Sequence, residues 1–447
     1  MSSSHNRNFS FFPMAITLVL AFAILFVSPS VSTSPNLLDH PGAKTGFQVT
    51  LKHVDFGGNF TKLELLQRAM KRGRKRMERL HSMALASSDA TIEAPIHAGN
   101  GEFLMELSIG TPPETYSAIL DTGSDLIWTQ CKPCKKCYDQ PTPIFDPSKS
   151  STFSNIPCAS DLCSALPQSS CADSNCEYEY TYGDYSSTQG TMAKETFTFG
   201  NVSVPKIAFG CGSDNEGAGF SQGSGLVGMG RGPLSLVSQL NEPKFSYCLT
   251  SIDSSKTSTL LMGSQANYNV NNSNIVKKTT PLIKSTSNPT FYYISLEGIT
   301  IGDKLLPIEK STFAIREDGS GGMIIDSGTT LTYLEDSAFD IVKKEMIEQM
   351  KLPVANQSGT GLEVCFDLLS VDHDIEVPKF VFHFEGADLD LPGENYIVAD
   401  SSGEACLAMA RSNGMSIFGN VQQQNILMIH DLVKETISFV PTKCDEL

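Results

Sequence analysis

The sequence predicts a mostly β protein whose body is an internal duplication. Three observations carry this. From about residue 95 onward, short β-branched or aromatic runs alternate with Gly, Pro, Asn and Ser clusters, as strands joined by turns do. Within that body, helical signals are confined to Leu234–Leu240 and Glu335–Met350. A short motif also occurs twice, each time behind the same kind of strand. The chain has 447 residues, 40% hydrophobic and 18% charged, which is enough for two to three domains or lobes with sizeable cores.

At the amino end, Arg7 precedes the uncharged apolar run Met14–Val27, and Ser28, Ser30, Ser32 and Thr33 follow. This is the pattern of a secretory signal peptide, placed at 1–33. The run falls short of the ~20 residues that span a bilayer, so a signal anchor is the weaker reading and no stable membrane anchor is expected.

Residues 34–90 read as a basic propeptide. Leu63, Leu66, Met70, Met77 and Leu80 share one helical face, and Lys62, Arg68, Lys71, Arg72, Arg74, Lys75, Arg76 and Arg79 occupy the other. A solvated helix face and a membrane-surface helix carry the same pattern. The charge split favours a third reading. The first 90 residues hold eleven Lys/Arg against five Asp/Glu, and the remaining 357 hold 22 against 44. A basic cover on an acidic body would hold at neutral pH and loosen as carboxylates protonate, so the propeptide is expected to inhibit its own chain. The net charge of −16 argues against a nucleic-acid partner.

In the body, strands are expected at Phe103–Ile109, Tyr116–Leu120, Glu177–Tyr182, Thr196–Phe199, Lys206–Phe209, Phe291–Ile301 and Met323–Ile325. The repeat lies on two of them. Ala118-Ile119-Leu120 leads into Asp121-Thr122-Gly123-Ser124, and Met323-Ile324-Ile325 leads into Asp326-Ser327-Gly328-Thr329. Each copy has an apolar-apolar-Gly partner downstream, Leu226-Val227-Gly228 in one case and Ile417-Phe418-Gly419 in the other. One Asp-hydroxyl-Gly turn is ordinary, whereas two with matching partners form a pattern.

A carboxylate at the end of an apolar strand is poorly solvated, and nearby N–H and hydroxyl donors offset this. If a two-fold arrangement brings Asp121 and Asp326 together, both cannot ionise easily and they share one proton. One can then deprotonate a water while the other protonates a substrate carbonyl. That chemistry cleaves an amide with no cofactor and no metal. Gly123 and Gly328 are expected to allow the tight turns, and Ser124 and Thr329 to donate to the carboxylates.

These motifs resemble the pepsin-like aspartic endopeptidases, and specifically their plant nepenthesin-type group, along essentially the whole chain after the signal peptide. The resemblance implies a bilobal fold, two pseudo-symmetric β lobes with a cleft between them, with Asp121 and Asp326 as the catalytic pair supported by Thr122, Gly123, Ser124, Ser327, Gly328 and Thr329. The lobes are expected at 91–255 and 256–447. It implies a flap at Tyr180-Thr181-Tyr182-Gly183-Asp184, with Tyr182 hydrogen-bonded to Trp128, the chain's one tryptophan. Seven of the twelve cysteines lie in an insertion at 131–176, and this crowding points to the nepenthesin-type group. By resemblance the expected pairs are Cys131–Cys134, Cys137–Cys211, Cys158–Cys176, Cys163–Cys171, Cys248–Cys444 and Cys365–Cys406. Only 121 residues follow Asp326, which leaves no space for the saposin-like insert of typical plant members.

Other patterns compete less well. Cys131-x2-Cys134-x2-Cys137 resembles a metal or iron–sulfur run, but Pro141 stands where the next ligand would fall. Gly219-x-Ser221-x-Gly223, with His373, His383 and His430 downstream, resembles a serine-hydrolase elbow without the strand–helix context. Gly223-x-Gly225-x-x-Gly228 lacks the βαβ setting of a dinucleotide site. A two-carboxylate glycosidase does not need the paired motifs. The alternative within the fold is a catalytically silent inhibitor or binding protein, which intact Asp motifs in both halves disfavour. The expected product is a secreted monomer acting on polypeptides. Asn201, Asn271 and Asn356 are glycosylation acceptors compatible with that route. The destination is the apoplast, with the vacuole as alternative. The terminal Asp445-Glu446-Leu447 resembles an ER-retention signal, but Cys444 stands where Lys or His belongs.

Overall fold

The computed structural model describes residues 46–85, 103–182, 186–217, 220, 222–266, 276–355, 361–369, 375–399 and 403–447. The signal-peptide segment, Asn271, Asn356, the flap residues Gly183 and Asp184, and Gly219, Ser221 and His373 lie outside these. The fold is a bilobal β structure. Among the described residues it has one 20-stranded sheet, a four-stranded and a three-stranded sheet, and few helices.

The duplication seen in the sequence is a duplication of strand pairing. Strand β3 (Glu114–Asp121) follows its antiparallel partner β2 (Phe103–Ile109) and lies parallel to Gly225–Gly228, with Asp121 opposite Gly228. Strand β4 (Trp128–Gln130) pairs antiparallel with that same segment and parallel to Val202–Glu216. In the second half, Met323–Ile325 lies parallel to Ser416–Phe418. Thr332–Glu335 contacts Ser416–Phe418 in antiparallel sense and runs parallel to Met409–Ser412. Each apolar-apolar-Gly segment is thus the strand beside its own aspartate strand. The glycines let chains cross closely. A Cβ on Gly228 would stand 2.3 Å from the Asp125 carbonyl carbon, and one on Gly419 2.0 Å from the Leu331 carbonyl oxygen.

The halves are joined by antiparallel pairing of Lys244–Cys248 with Ile426–Asp431, whose hairpin partner Thr436–Pro441 pairs in turn with Lys278–Ile283 of the second half. Phe245, Tyr247, Tyr292 and His430 pack together there, all fully buried. The run expected at Phe291–Ile301 is two strands, Tyr292–Ile294 and Leu296–Ile301. They break at Ser295, whose carbonyl accepts from Glu385 N–H, because each joins a different sheet. The helix expected at Glu335–Met350 spans Asp336–Met350, and the one at Leu234–Leu240 is a single turn, Leu236–Gln239.

The basic segment forms strand β1 (Gln48–His53) and helix α1 (Lys62–Leu85). Strand β1 inserts between β2 and Ser258–Met262, antiparallel to both. A capping box starts α1: Thr61 N–H donates to Glu64 Oε2 at 2.8 Å, and Glu64 N–H to Thr61 Oγ1 at 3.2 Å. Leu66, Met70, Met77 and Leu80 are buried in one cluster with Phe291, Tyr293, Tyr333, Met415 and Ile417 of the second half.

The disulfides correct four of the six expected pairs. Cys131 is bonded to Cys211 and Cys134 to Cys137, in place of Cys131–Cys134 and Cys137–Cys211. Register explains this. Thr129 faces Cys211 and Cys131 N–H donates to the Gly212 carbonyl, so the end of β4 lies beside Cys211. Cys158 is bonded to Cys171 and Cys163 to Cys176, in place of Cys158–Cys176 and Cys163–Cys171. Cys171 and Cys176 face each other across a hairpin, yet Cys176 is buried with Cys163 of the short helix Asp161–Ser164, while Cys171 is exposed beside Cys158. Burial, invisible in the spacing, sorts the four. The structure also holds Cys248–Cys444 and Cys365–Cys406.

Candidate active site

Asp121 and Asp326 stand at corresponding ends of the two parallel-paired strands, and both are fully buried. Each lies in the same donor cradle. Gly123 N–H donates to Asp121 Oδ1 at 2.9 Å and Ser124 Oγ to Oδ2 at 2.5 Å. Gly328 N–H donates to Asp326 Oδ1 at 3.0 Å and Thr329 Oγ1 to Oδ2. The loops also grip each other. Thr122 Oγ1 accepts from Ser327 N–H at 3.1 Å and donates to Asp326 Oδ1 at 3.3 Å. Such an arrangement positions two carboxylates on one small space, as shared-proton acid–base chemistry requires.

One guanidinium fills that space. Arg76 Nη2 donates to Asp121 Oδ1 and to Asp326 Oδ1, and Nε donates to Asp326 Oδ2 at 2.5 Å. Arg76 is 2% exposed, although the sequence pattern groups it with the outward basic residues. Burial pushes its pKa down, but the charges of Asp121 and Asp326 and their hydrogen bonds more than offset this and hold it well above its ordinary range. The glycines make room for it. A Cβ on Gly328 would stand 2.2 Å from Arg76 Cζ, and one on Gly123 3.0 Å from Nη2. Both glycines lie in the expected turns, and since neither adopts left-handed backbone, what the missing side chain supplies there is space. Arg72 is also buried, paired with Asp55 at 2.8 Å. Thr330 Oγ1 donates to the Ala69 carbonyl at 2.7 Å.

Trp128 Nε1 donates to Tyr182 Oη at 2.7 Å, and both are 1% exposed. Phe220 packs edge-on against each ring. Tyr182 follows the strand Asn175–Thr181, whose hairpin partner begins at Ser187. Asn201 lies exposed in the turn between Ser187–Phe199 and Val202–Glu216. The competing motifs come apart. The cysteines of the 131–137 run are in disulfides, Gly225 and Gly228 lie within a strand, and His383 and His430 sit in different sheets. Cys365, Glu404 and Cys406 are close enough to suggest a metal, but the two cysteines are bonded to each other.

A bilobal β fold with an aspartate from each half in one cradle defines a pepsin-like aspartic proteinase. Comparison with known proteins agrees. Residues 103–264 match the family model described as xylanase inhibitor N-terminal, and residues 291–441 its C-terminal counterpart. The chain is 52% identical to the aspartic proteinase nepenthesin-1 of Nepenthes gracilis, over 96% of this chain and 97% of that one. It is 50% identical to nepenthesin-2 of the same plant, over 96% and 98%. The solved structure of edgp superposes with a TM-score of 0.63 at 17% identity, over 88% of this chain and 94% of that one, a likeness of fold. The chain belongs to the plant nepenthesin-type aspartic proteinases.

Sequence reasoning missed Arg76 as a site residue. The signal was present. Arg76 lies seven residues after Ala69 and four before Leu80, in line with buried positions, so a strict reading of the period places it on the inner face.

Proposed function

We propose that the protein is made as a zymogen and acts, once processed, as a secreted endopeptidase of acidic compartments, with the apoplast as destination. In this reading 1–33 is a signal peptide, 34–90 a removable inhibitory segment, and the remainder a monomeric two-lobed enzyme. The observation that carries it is the Arg76 guanidinium bridging Asp121 and Asp326 from α1. No substrate carbonyl or attacking water can occupy the same space. Arginine stays protonated at every physiological pH, so the release must come from the carboxylates taking up protons. That gives the segment its acid sensitivity.

With Arg76 gone, a water takes its place between the two aspartates. One carboxylate removes a proton as the water oxygen bonds to the scissile carbonyl carbon, and the other donates its proton to the carbonyl oxygen. The resulting tetrahedral diol collapses as its C–N bond breaks and the nitrogen receives a proton. Tyr182, held by Trp128, closes over the substrate from the flap.

The test is digestion of a denatured protein after acid incubation of the full chain, with and without pepstatin. Wild type is expected to cleave and to be blocked. Asp121→Asn and Asp326→Asn are each expected to lose at least a hundredfold in rate, as removal of an acid–base partner does. A silent wild type at every pH would promote the binding-protein reading, and full activity in either variant would remove the pair from the reaction.

A further inference from the structure

The two-aspartate reaction leaves Asp125 without a part. It lies four residues after Asp121, and its carboxylate is built into the junction of the two halves. Its Oδ1 accepts from Gly232 N–H at 2.8 Å, and its Oδ2 accepts from Thr290 Oγ1 at 2.7 Å. Gly232 lies in the loop that follows Gly225–Gly228, and Thr290 precedes Tyr292–Ile294 of the second half. The same junction carries backbone bonds from Met229 N–H to the Asp121 carbonyl at 2.7 Å and from Gly230 N–H to the Ser124 carbonyl at 2.8 Å. Arg231 N–H reaches the Thr290 carbonyl at 3.0 Å. Tyr292 Oη donates to the Met229 carbonyl at 2.6 Å.

The loop is moulded to the carboxylate. A Cβ on Gly230 would approach Asp125 Oδ1 to 2.4 Å, and one on Gly232 would approach Oδ2 to 2.1 Å. Yet the two hydrogen bonds do not by themselves call for an acid, since an asparagine carbonyl could accept either. What asparagine cannot supply is charge. The titratable groups that act on this carboxylate are Asp121 from its own loop and Tyr292 from the second half, and Tyr292 in turn feels Arg231 of the glycine loop. Arg231 is already engaged with Glu435 and the Ile283 carbonyl. Burial holds Asp125's pKa above the usual carboxylate range, with the charge of Asp121 adding to it against the hydrogen bonds from Thr290 and Gly232, so its negative charge develops toward the alkaline side of the acid range.

We propose that Asp125 is a positioning residue of the reaction, which ties the Asp121 loop to the opposite half and, by its negative charge, helps the Asp121–Asp326 pair keep its shared proton toward higher pH. This rests on the acid–base reading of that pair. A neighbouring anion makes loss of the second proton harder, so it extends the alkaline limb of the rate profile.

The test is the pH dependence of kcat/KM for the acid-processed full chain, alongside thermal unfolding. Wild type should give a bell-shaped profile, and its absence would count against the pair itself. Asp125→Asn should move the alkaline limb down by roughly half a unit to one unit, the size expected for one charge at partly screened range. Thr290→Val removes a donor that favours the ionised form, so it should shift the limb in the same direction by less. If Asp125→Asn does not fold, Thr290→Val carries the test. An alkaline limb that stays in place or moves up, with only unfolding temperature or KM altered, would overturn the proposal and leave Asp125 a structural tie.

Discussion

The loops Asp121–Asp125 and Asp326–Thr330 are near copies for four residues and part at the fifth. Both give their aspartate a glycine N–H on Oδ1 and a hydroxyl on Oδ2. At the fifth position Asp125 binds inward, to Gly232 and to Thr290 across the lobe junction. Thr330 binds outward, to the Ala69 carbonyl of α1. Arg76 leans the same way, with two hydrogen bonds to Asp326 and one to Asp121. The apolar face of α1 likewise packs in a cluster with second-half residues. Duplication supplied the symmetric acid pair, and divergence beside it assigned one loop to joining the lobes and the other to contacting helix α1.

Four experiments would break or sharpen this comparison. The largest effect is expected from Arg76→Ala. Losing one side of a buried ion pair costs about 3–5 kcal/mol, and here that loss falls on the closed state. The unprocessed variant should therefore bind pepstatin at neutral pH at least a hundredfold more tightly than unprocessed wild type, measured by calorimetry. Equal affinity would show that the bridge does not close the site.

Next is His430→Phe, in the sheet that joins the halves. His430 is fully buried against Phe245, and burial lowers its pKa to about 3. Its unfolded value is about 6.5, so between these pH values the unfolded chain binds the extra proton. The native state therefore loses stability as pH falls from about 6.5 to about 3, by about 3 kcal/mol at pH 4. His430→Phe should flatten that part of a urea-midpoint against pH curve. A variant curve as steep as wild type would remove His430 as the cause.

Trp128→Phe comes third, because it leaves the Tyr182 hydroxyl of the first half without its indole donor. Loss of the bond to Tyr182 should cost about 1 kcal/mol, read as a five- to tenfold lower kcat/KM with the dyad intact. The smallest effect is expected from Thr330→Val, which removes one bond to α1 and should speed acid processing roughly fivefold. If that variant processes at the wild-type rate, the outward role of the second loop is absent.

Much of this could be read before any coordinates. The repeat at Asp121 and Asp326, its glycine-ended partner strands, and the hydroxyls at Ser124 and Thr329 are local patterns, because a strand that ends in a tight cradle must carry them in sequence. Helix α1 was legible from its period. What the pattern obscured was Arg76. Its charge argues for the outer face although its period places it on the inner one, and only the two carboxylates waiting there make its burial favourable. The cysteines failed for a related reason. Cys131, Cys134, Cys137 and Cys211 can be joined in several ways along the chain, and the choice depends on which backbone lies next to β4.

The sequence by itself determined the acid pair, the mostly β duplicated body and the basic segment ahead of it, since each is written in residues close together along the chain. Tertiary structure alone decided that Arg76 lies between the aspartates, that Asp125 reaches Thr290 165 positions away, and which cysteines meet. These contacts join parts of the chain whose separation carries no local signal. They form only when burial and opposite charge at one point outweigh the cost of bringing those parts together.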